Sequence, residues 1–113
     1  MQLQLGKKVD GVLNVLLIGR LDTPGVDRIE TQLTAQLVPR GERVTIDLSR
    51  VEFLRSIGIR MFITIARALA RNGGKMVLYG AQPSVAQVLE TTSLHNIIPV
   101  RSDADAAAAV ARG

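Results

Sequence analysis

The residue of this chain whose type and position could do chemistry is Ser56, in the stretch Thr45–Gly58, TIDLSRVEFLRSIG. Thr45-Ile46-Asp47-Leu48 reads as the end of a buried strand and Ser49 to Arg55 as a polar connection carrying the apolar pair Phe53-Leu54. A helical pattern then starts near Ser56 and runs to Arg71. A hydroxyl at the mouth of a helix lies beside free backbone N–H groups and the positive end of the helix dipole, where a phosphate is well received. Ser56 is therefore a candidate phosphorylation site; a plain helix cap is the other reading of the same residue.

Catalysis finds little support. Ser56-Ile57-Gly58 matches the second half of the nucleophile elbow G-x-S-x-G, but Leu54 stands where the tight strand–turn–helix geometry needs a glycine. His95 is the only histidine and has no motif around it. The absence of cysteine removes disulfides, thiolate catalysis and Cys-ligated zinc. The carboxylates are dispersed, so no metal-ligand cluster is expected. Gly73-Gly74 precedes a strand rather than opening a helix, and so stops a helix instead of cradling a phosphate. The expectation is a non-enzyme without metal or cofactor, whose work is recognition.

Several elements must position Ser56. Leu3 and Leu5 alternate with polar residues in a half-exposed first strand, Asp10-Gly11 signals a hairpin, and Val12 to Ile18 makes a more buried second strand. Thr23-Pro24 predicts a helix start with Thr23 as cap, and Val26, Ile29, Leu33 and Leu37 form its apolar stripe up to the stop at Pro39-Arg40-Gly41. Val44 to Leu48 is the third strand. The second helix is expected to bury Ile59, Phe62, Ile63, Ala66, Leu69 and Ala70, and to carry Arg60, Thr64, Arg67 and Arg71 on a solvated stripe. Lys75–Tyr79 follows as the fourth strand, and Pro83-Ser84 opens a short helix with Val85, Val88 and Leu89 inward. Ile97 to Val100 reads as a last edge strand, and Ser102 as the cap of a final Ala-rich helix.

A hairpin followed by strand–helix units implies one α/β domain over residues 1–113. Its mixed sheet has four to five strands, the later ones parallel, covered by about four helices. In such sheets the functional surface lies beyond the carboxyl ends of the parallel strands. The loops holding Asp22-Thr23 and Arg55-Ser56 should both emerge there.

The composition agrees with a folded core of aliphatic residues: 47% of the chain is hydrophobic and only 3% aromatic, which leaves no platform for stacking single-stranded nucleic acid. The net charge of +4 is scattered rather than blocked, so nucleic acid is not the expected partner. No apolar run approaches the ~20 residues of a membrane span and no signal peptide is visible, so the expected location is the cytoplasm.

The chain resembles the STAS domain, shared by bacterial anti-sigma factor antagonists and the cytoplasmic tails of sulphate transporters. The resemblance rests on Gly19-Arg20-Leu21-Asp22 and on Asp47-Leu48-Ser49-x-Val51-x-Phe53-Leu54-Arg55-Ser56-x-Gly58. The Gly73-Gly74 break, Ser84-Val85 through Leu89, and Ser93-Leu94 extend it over nearly the whole length. It implies that Ser56 is phosphorylated by a partner, an anti-sigma factor and serine kinase of the histidine-kinase-like ATPase class. It also implies that Asp22, Thr23, Arg55, Ile57, Gly58 and Arg60 lie at the docking surface. In that family the residue before the phosphorylated one is an aspartate; Arg55 stands there in this chain, and Ile57 at the second serine position. The other function compatible with the resemblance is a stand-alone accessory subunit docked on a transporter's ATPase, with no phosphorylation switch.

Overall fold

Asp10 and Gly11 adopt positive φ angles of 52° and 78°, the pair of left-handed conformations that a tight two-residue hairpin demands. They join β1 (Gln2–Val9) to β2 (Val12–Leu21), which pair antiparallel. Every later pairing is parallel: β2 with β3 (Arg43–Leu54), β3 with β4 (Lys75–Tyr79), and β4 with β5 (Val100–Arg101). The sheet order is therefore the chain order, β1-β2-β3-β4-β5. Parallel neighbours need crossovers, and helices α1 (Thr23–Leu37), α2 (Ser56–Arg71) and α3 (Pro83–Thr91) supply them, with α4 (Ala104–Arg112) ending the chain. This computed structural model describes residues 1–113.

The period-two alternation of the strands splits the apolar residues between two faces. Val15, Leu17, Val44, Ile46, Leu48 and Leu78 pack on one side under α1, α2 and α3. Val12, Val77 and Tyr79 meet Ala107 and Ala111 of α4 on the other. Arg43 ties that last helix down, its guanidinium donating to the Ala111 carbonyl at 2.8 Å, where a cation also suits the negative end of the helix dipole. No helix is long and apolar enough to cross a membrane.

The structure corrects the sequence reading at several points. Ser49–Arg55 is not a connection: β3 continues to Leu54, paired on one side only, because β4 ends at the register Asp47↔Tyr79 while β2 goes on to Leu21↔Leu54. With one neighbour and solvent beyond, the strand alternates exposed Ser49, Arg50 and Glu52 with buried Val51 and Leu54, which reads as a polar loop. Its freed backbone groups find side chains instead: the Ser49 N–H donates to Asp47 Oδ1 at 2.9 Å, and Gln82 Nε2 donates to the Ser49 carbonyl at 3.0 Å. In α2, Met61 and Ile65 are buried, Ile63 and Ala66 half-buried, and Ala70 exposed. The expected last strand shortens to two residues, after a 3-10 turn at Leu94–Asn96 and the donor-less Pro99.

Two caps move to the neighbouring carboxylate. Asp22, not Thr23, caps α1, Oδ1 accepting the Gly25 N–H at 3.0 Å; Asp103, not Ser102, caps α4, accepting the Ala106 N–H at 2.8 Å. A carboxylate accepts more strongly than a hydroxyl and carries the charge that the helix start favours. The cap position of α2 falls on Arg55, whose side chain makes no capping bond, so Ser56 is the first helical residue.

Two predictions concern this frame. At position 58 a Cβ would lie 2.7 Å from Leu54 Cδ1 and 3.1 Å from Leu21 Cβ. Gly58→Val should therefore lower stability by about 1–3 kcal/mol in urea denaturation; an unchanged midpoint would show that α2 need not approach the sheet so closely. The Asp22 carboxyl is held below its usual value of 3.8, chiefly by the Gly25 N–H bond. A depressed folded value means stability present above the unfolded value and lost as pH falls through the folded one. The gap in thermal midpoint between wild type and Asp22→Asn should be widest above pH 3.8 and close at more acid pH; a gap independent of pH would show that the charge contributes nothing.

Candidate functional site

The carboxyl ends of β2 and β3 finish side by side, and that juxtaposition builds the site. Leu21 pairs with Leu54, and the Arg55 N–H extends the ladder by donating to the Leu21 carbonyl at 3.0 Å. Asp22 and Arg55, the cap residues of α1 and α2, are thus adjacent although far apart in sequence. The starts of two helices face outward together, as the sequence reading expects for the ends of parallel strands.

Arg20 stands opposite Phe53 in the ladder. Its guanidinium carbon lies 4.4 Å from the centre of the half-buried Phe53 ring, and that of Arg55 lies 5.0 Å from the same centre, both within cation–π range. Arg20 Nε also reaches Asp22 Oδ2 at 3.4 Å, while the other Asp22 oxygen holds the Gly25 N–H. These two hydrogen bonds, the backbone one first, outweigh partial burial and keep the Asp22 carboxylate ionised. An open, polar cleft of about 470 Å³ adjoins the site, with Arg20, Asp22, Arg28 and Glu52 among its walls.

At the start of α2 the Arg55 carbonyl accepts from the Gly58 N–H at 2.9 Å and from the Ile59 N–H at 3.2 Å. The N–H groups of Ser56 and Ile57 have no partner in the chain. Ser56 is exposed beside them, and Arg60, one turn on at i+4, is exposed as well. Thr23 is exposed at the first position of α1. Asp22, Thr23, Arg55, Ser56 and Arg60 therefore share this end of the molecule. Ile57 is half-buried against the core, and Gly58 is buried between α2 and the strand ends. Gly58 thus serves by letting the helix start approach the sheet, not by presenting a surface. Sequence reasoning missed the Arg20–Phe53 pairing as part of the site; its only signal was an aromatic among charged residues, in a chain with two phenylalanines.

The comparisons with known proteins agree with this architecture. The family model for the STAS domain matches residues 6–107. The Bordetella bronchiseptica protein BtrV, an anti-sigma factor antagonist by name, is 33% identical over 102 residues, which cover 90% of this chain and 88% of BtrV. A crystal structure of an anti-sigma factor antagonist from Mycobacterium paratuberculosis superposes with a TM-score of 0.84 at 24% identity, over 99% of this chain and 96% of that one. The Bacillus cell fate determinant SpoIIAA in its phosphorylated form gives a TM-score of 0.68 at 20% identity, over 96% of this chain and 99% of that one. The last two likenesses are of fold. With the family model spanning most of its length and BtrV this similar, the chain belongs to the STAS domain family.

Proposed function

We propose that this chain is an anti-sigma factor antagonist. It binds an anti-sigma factor of the histidine-kinase-like ATPase class through Asp22, Thr23, Arg55, Ser56, Ile57 and Arg60, and phosphorylation of Ser56 by that partner ends the complex. The observation that carries the reading is the exposed Ser56 at the first position of α2, following Arg55, whose N–H bonds the Leu21 carbonyl next to Asp22. The name of BtrV and the phosphorylated form of SpoIIAA point the same way.

In the proposed reaction the Ser56 oxygen forms a bond to the γ-phosphorus of ATP as the bond to the β-γ bridging oxygen breaks. ADP leaves, and the hydroxyl proton passes to the kinase. The chain supplies an accessible hydroxyl and a helix start whose free N–H groups favour the new charge. The phosphate adds about −1.5 to −2 charges to a surface that must shed water on docking, which weakens the complex.

Arg55 beside Ser56 sets the strength of this switch. Its guanidinium would leave the Phe53 ring to act as a charge-assisted donor to the phosphate, muting the charge that a partner meets. Arg55→Asp should change the phosphorylation rate or the partner affinity measured with purified ATPase; if neither changes, Arg55 has no part in the switch.

A pull-down from a lysate of the source cells, read by mass spectrometry, should recover a histidine-kinase-like ATPase on wild type and on Ser56→Ala but not on Ser56→Asp. Equal recovery on both variants removes the switch. Recovery of transporter subunits in place of the ATPase removes the sigma-regulatory reading altogether.

A further inference from the structure

We infer that the partner segment seated on Arg20, Phe53 and Arg55 is acidic: a loop or helix of a protein partner that presents Asp or Glu side chains to two stacked guanidinium groups. The inference rests on the docking surface proposed above and concerns the chemistry of what docks there.

Two cations approach a single ring, at 4.4 Å and 5.0 Å from its centre, so they lie closer to one another than the roughly 10 Å Debye length at 0.1 M salt. Salt at that strength does not remove their repulsion, and only Arg20 has a carboxylate beside it. The chain forms two ion pairs, Lys8–Glu42 and Arg20–Asp22. The Asp22 contact is a long one at 3.4 Å, made through Oδ2 while Oδ1 holds the Gly25 N–H. Arg55 has no carboxylate partner, nor have Arg28 at the adjoining cleft and Arg60 on α2. Carboxylates arriving at Arg20 and Arg55 would offset the repulsion and meet guanidinium groups already held against the Phe53 ring, so less side-chain freedom is lost on binding.

Charge complementarity also separates an acidic polypeptide from a nucleic acid. Asp22 and Glu52 line the same cleft as Arg20 and Arg28, and Asp27 is exposed on the first turns of α1. A continuous run of phosphates would have to lie across these carboxylates, whereas single acidic side chains can meet the arginines and avoid them. The same chemistry accounts for the direction of the proposed switch. A phosphate on Ser56 competes for Arg55 and repels the acidic segment at once.

The test is a titration of the full, isotope-labelled chain with a hexaglutamate peptide, followed by amide NMR at low and high salt. A hexalysine peptide, inorganic phosphate and a short DNA duplex serve as the other probes. Hexaglutamate should shift amides at Arg20, Asp22, Phe53 and Arg55 to Ile57, and bind less tightly as salt rises. Arg55→Glu should weaken it by roughly tenfold or more, with Arg55→Gln intermediate, while Arg67→Glu on the far half of α2 leaves it unchanged. Absence of binding, shifts spread along Arg67 and Arg71, or indifference to Arg55→Glu would overturn the inference. So would tighter binding of the DNA duplex at the same residues, or of inorganic phosphate. Should the titration fail while the ATPase is still captured and released by Ser56→Asp, the docking surface stands and its acidic occupant falls.

Discussion

The parallel pairing of β2 with β3, carried to the last residue of both strands, is the constraint from which the functional end of this molecule follows. Had β3 ended with β4 at Asp47, the second helix would start several residues lower, away from the first. Because the ladder continues to Leu21↔Leu54 and is closed by the Arg55 N–H on the Leu21 carbonyl, both strands leave the sheet at one level. Two helix starts, two cap positions and the turn between each strand and helix are thereby brought into one small area. Gly58 completes the arrangement, since a Cβ there would press on Leu54 and Leu21 where α2 meets the strand ends.

The extension of β3 beyond its β4 neighbour leaves one edge unpaired, and the structure manages that edge with side chains. Asp47 and Gln82 take the backbone groups of Ser49, and the strand goes on to place Phe53 opposite Arg20. This protects against the pairing with other chains that an open edge invites. The site's electrostatics is therefore a product of sheet register, not of the loop alone.

That dependence explains what was legible in the sequence. The fourth strand, the apolar stripe of α1 and the hairpin turn are written in local periodicity and turn chemistry, and the structure has them where the pattern puts them. Ser56, Asp22 and Arg55 were also legible, because the end of a strand followed by the start of a helix is a local signal. The extension of β3 was not, since a strand with one neighbour shows polar residues outward and imitates a loop. Nor was the meeting of Arg20 with Phe53. It depends on irregularities in the β2–β3 register at Leu16/Ile18 and Gly19/Arg20, and no local pattern reveals which residue a bulge will place across from which. The caps were misplaced by one residue because hydroxyl and carboxylate stood next to each other, and the stronger acceptor won at both helices.

At the start of α2, where Arg55 stands at the cap position and makes no capping bond, local preferences and the observed structure disagree. Omitting a side-chain cap forgoes about 0.5–2 kcal/mol, and a cation near a helix start costs about 0.3–1 kcal/mol. Against this, α2 buries Phe62, Ile65 and Leu69 almost completely, each worth about 1.5–3 kcal/mol, so burial holds the helix without help from its terminus. The terminus is then free to serve recognition. A phosphate on Ser56 would meet unpartnered N–H groups and the positive end of the helix, and would stabilise α2 rather than unfold it. On the proposed reading the switch therefore acts through the charge of the surface and not through the fold, and the phosphorylated chain keeps the shape of the unphosphorylated one.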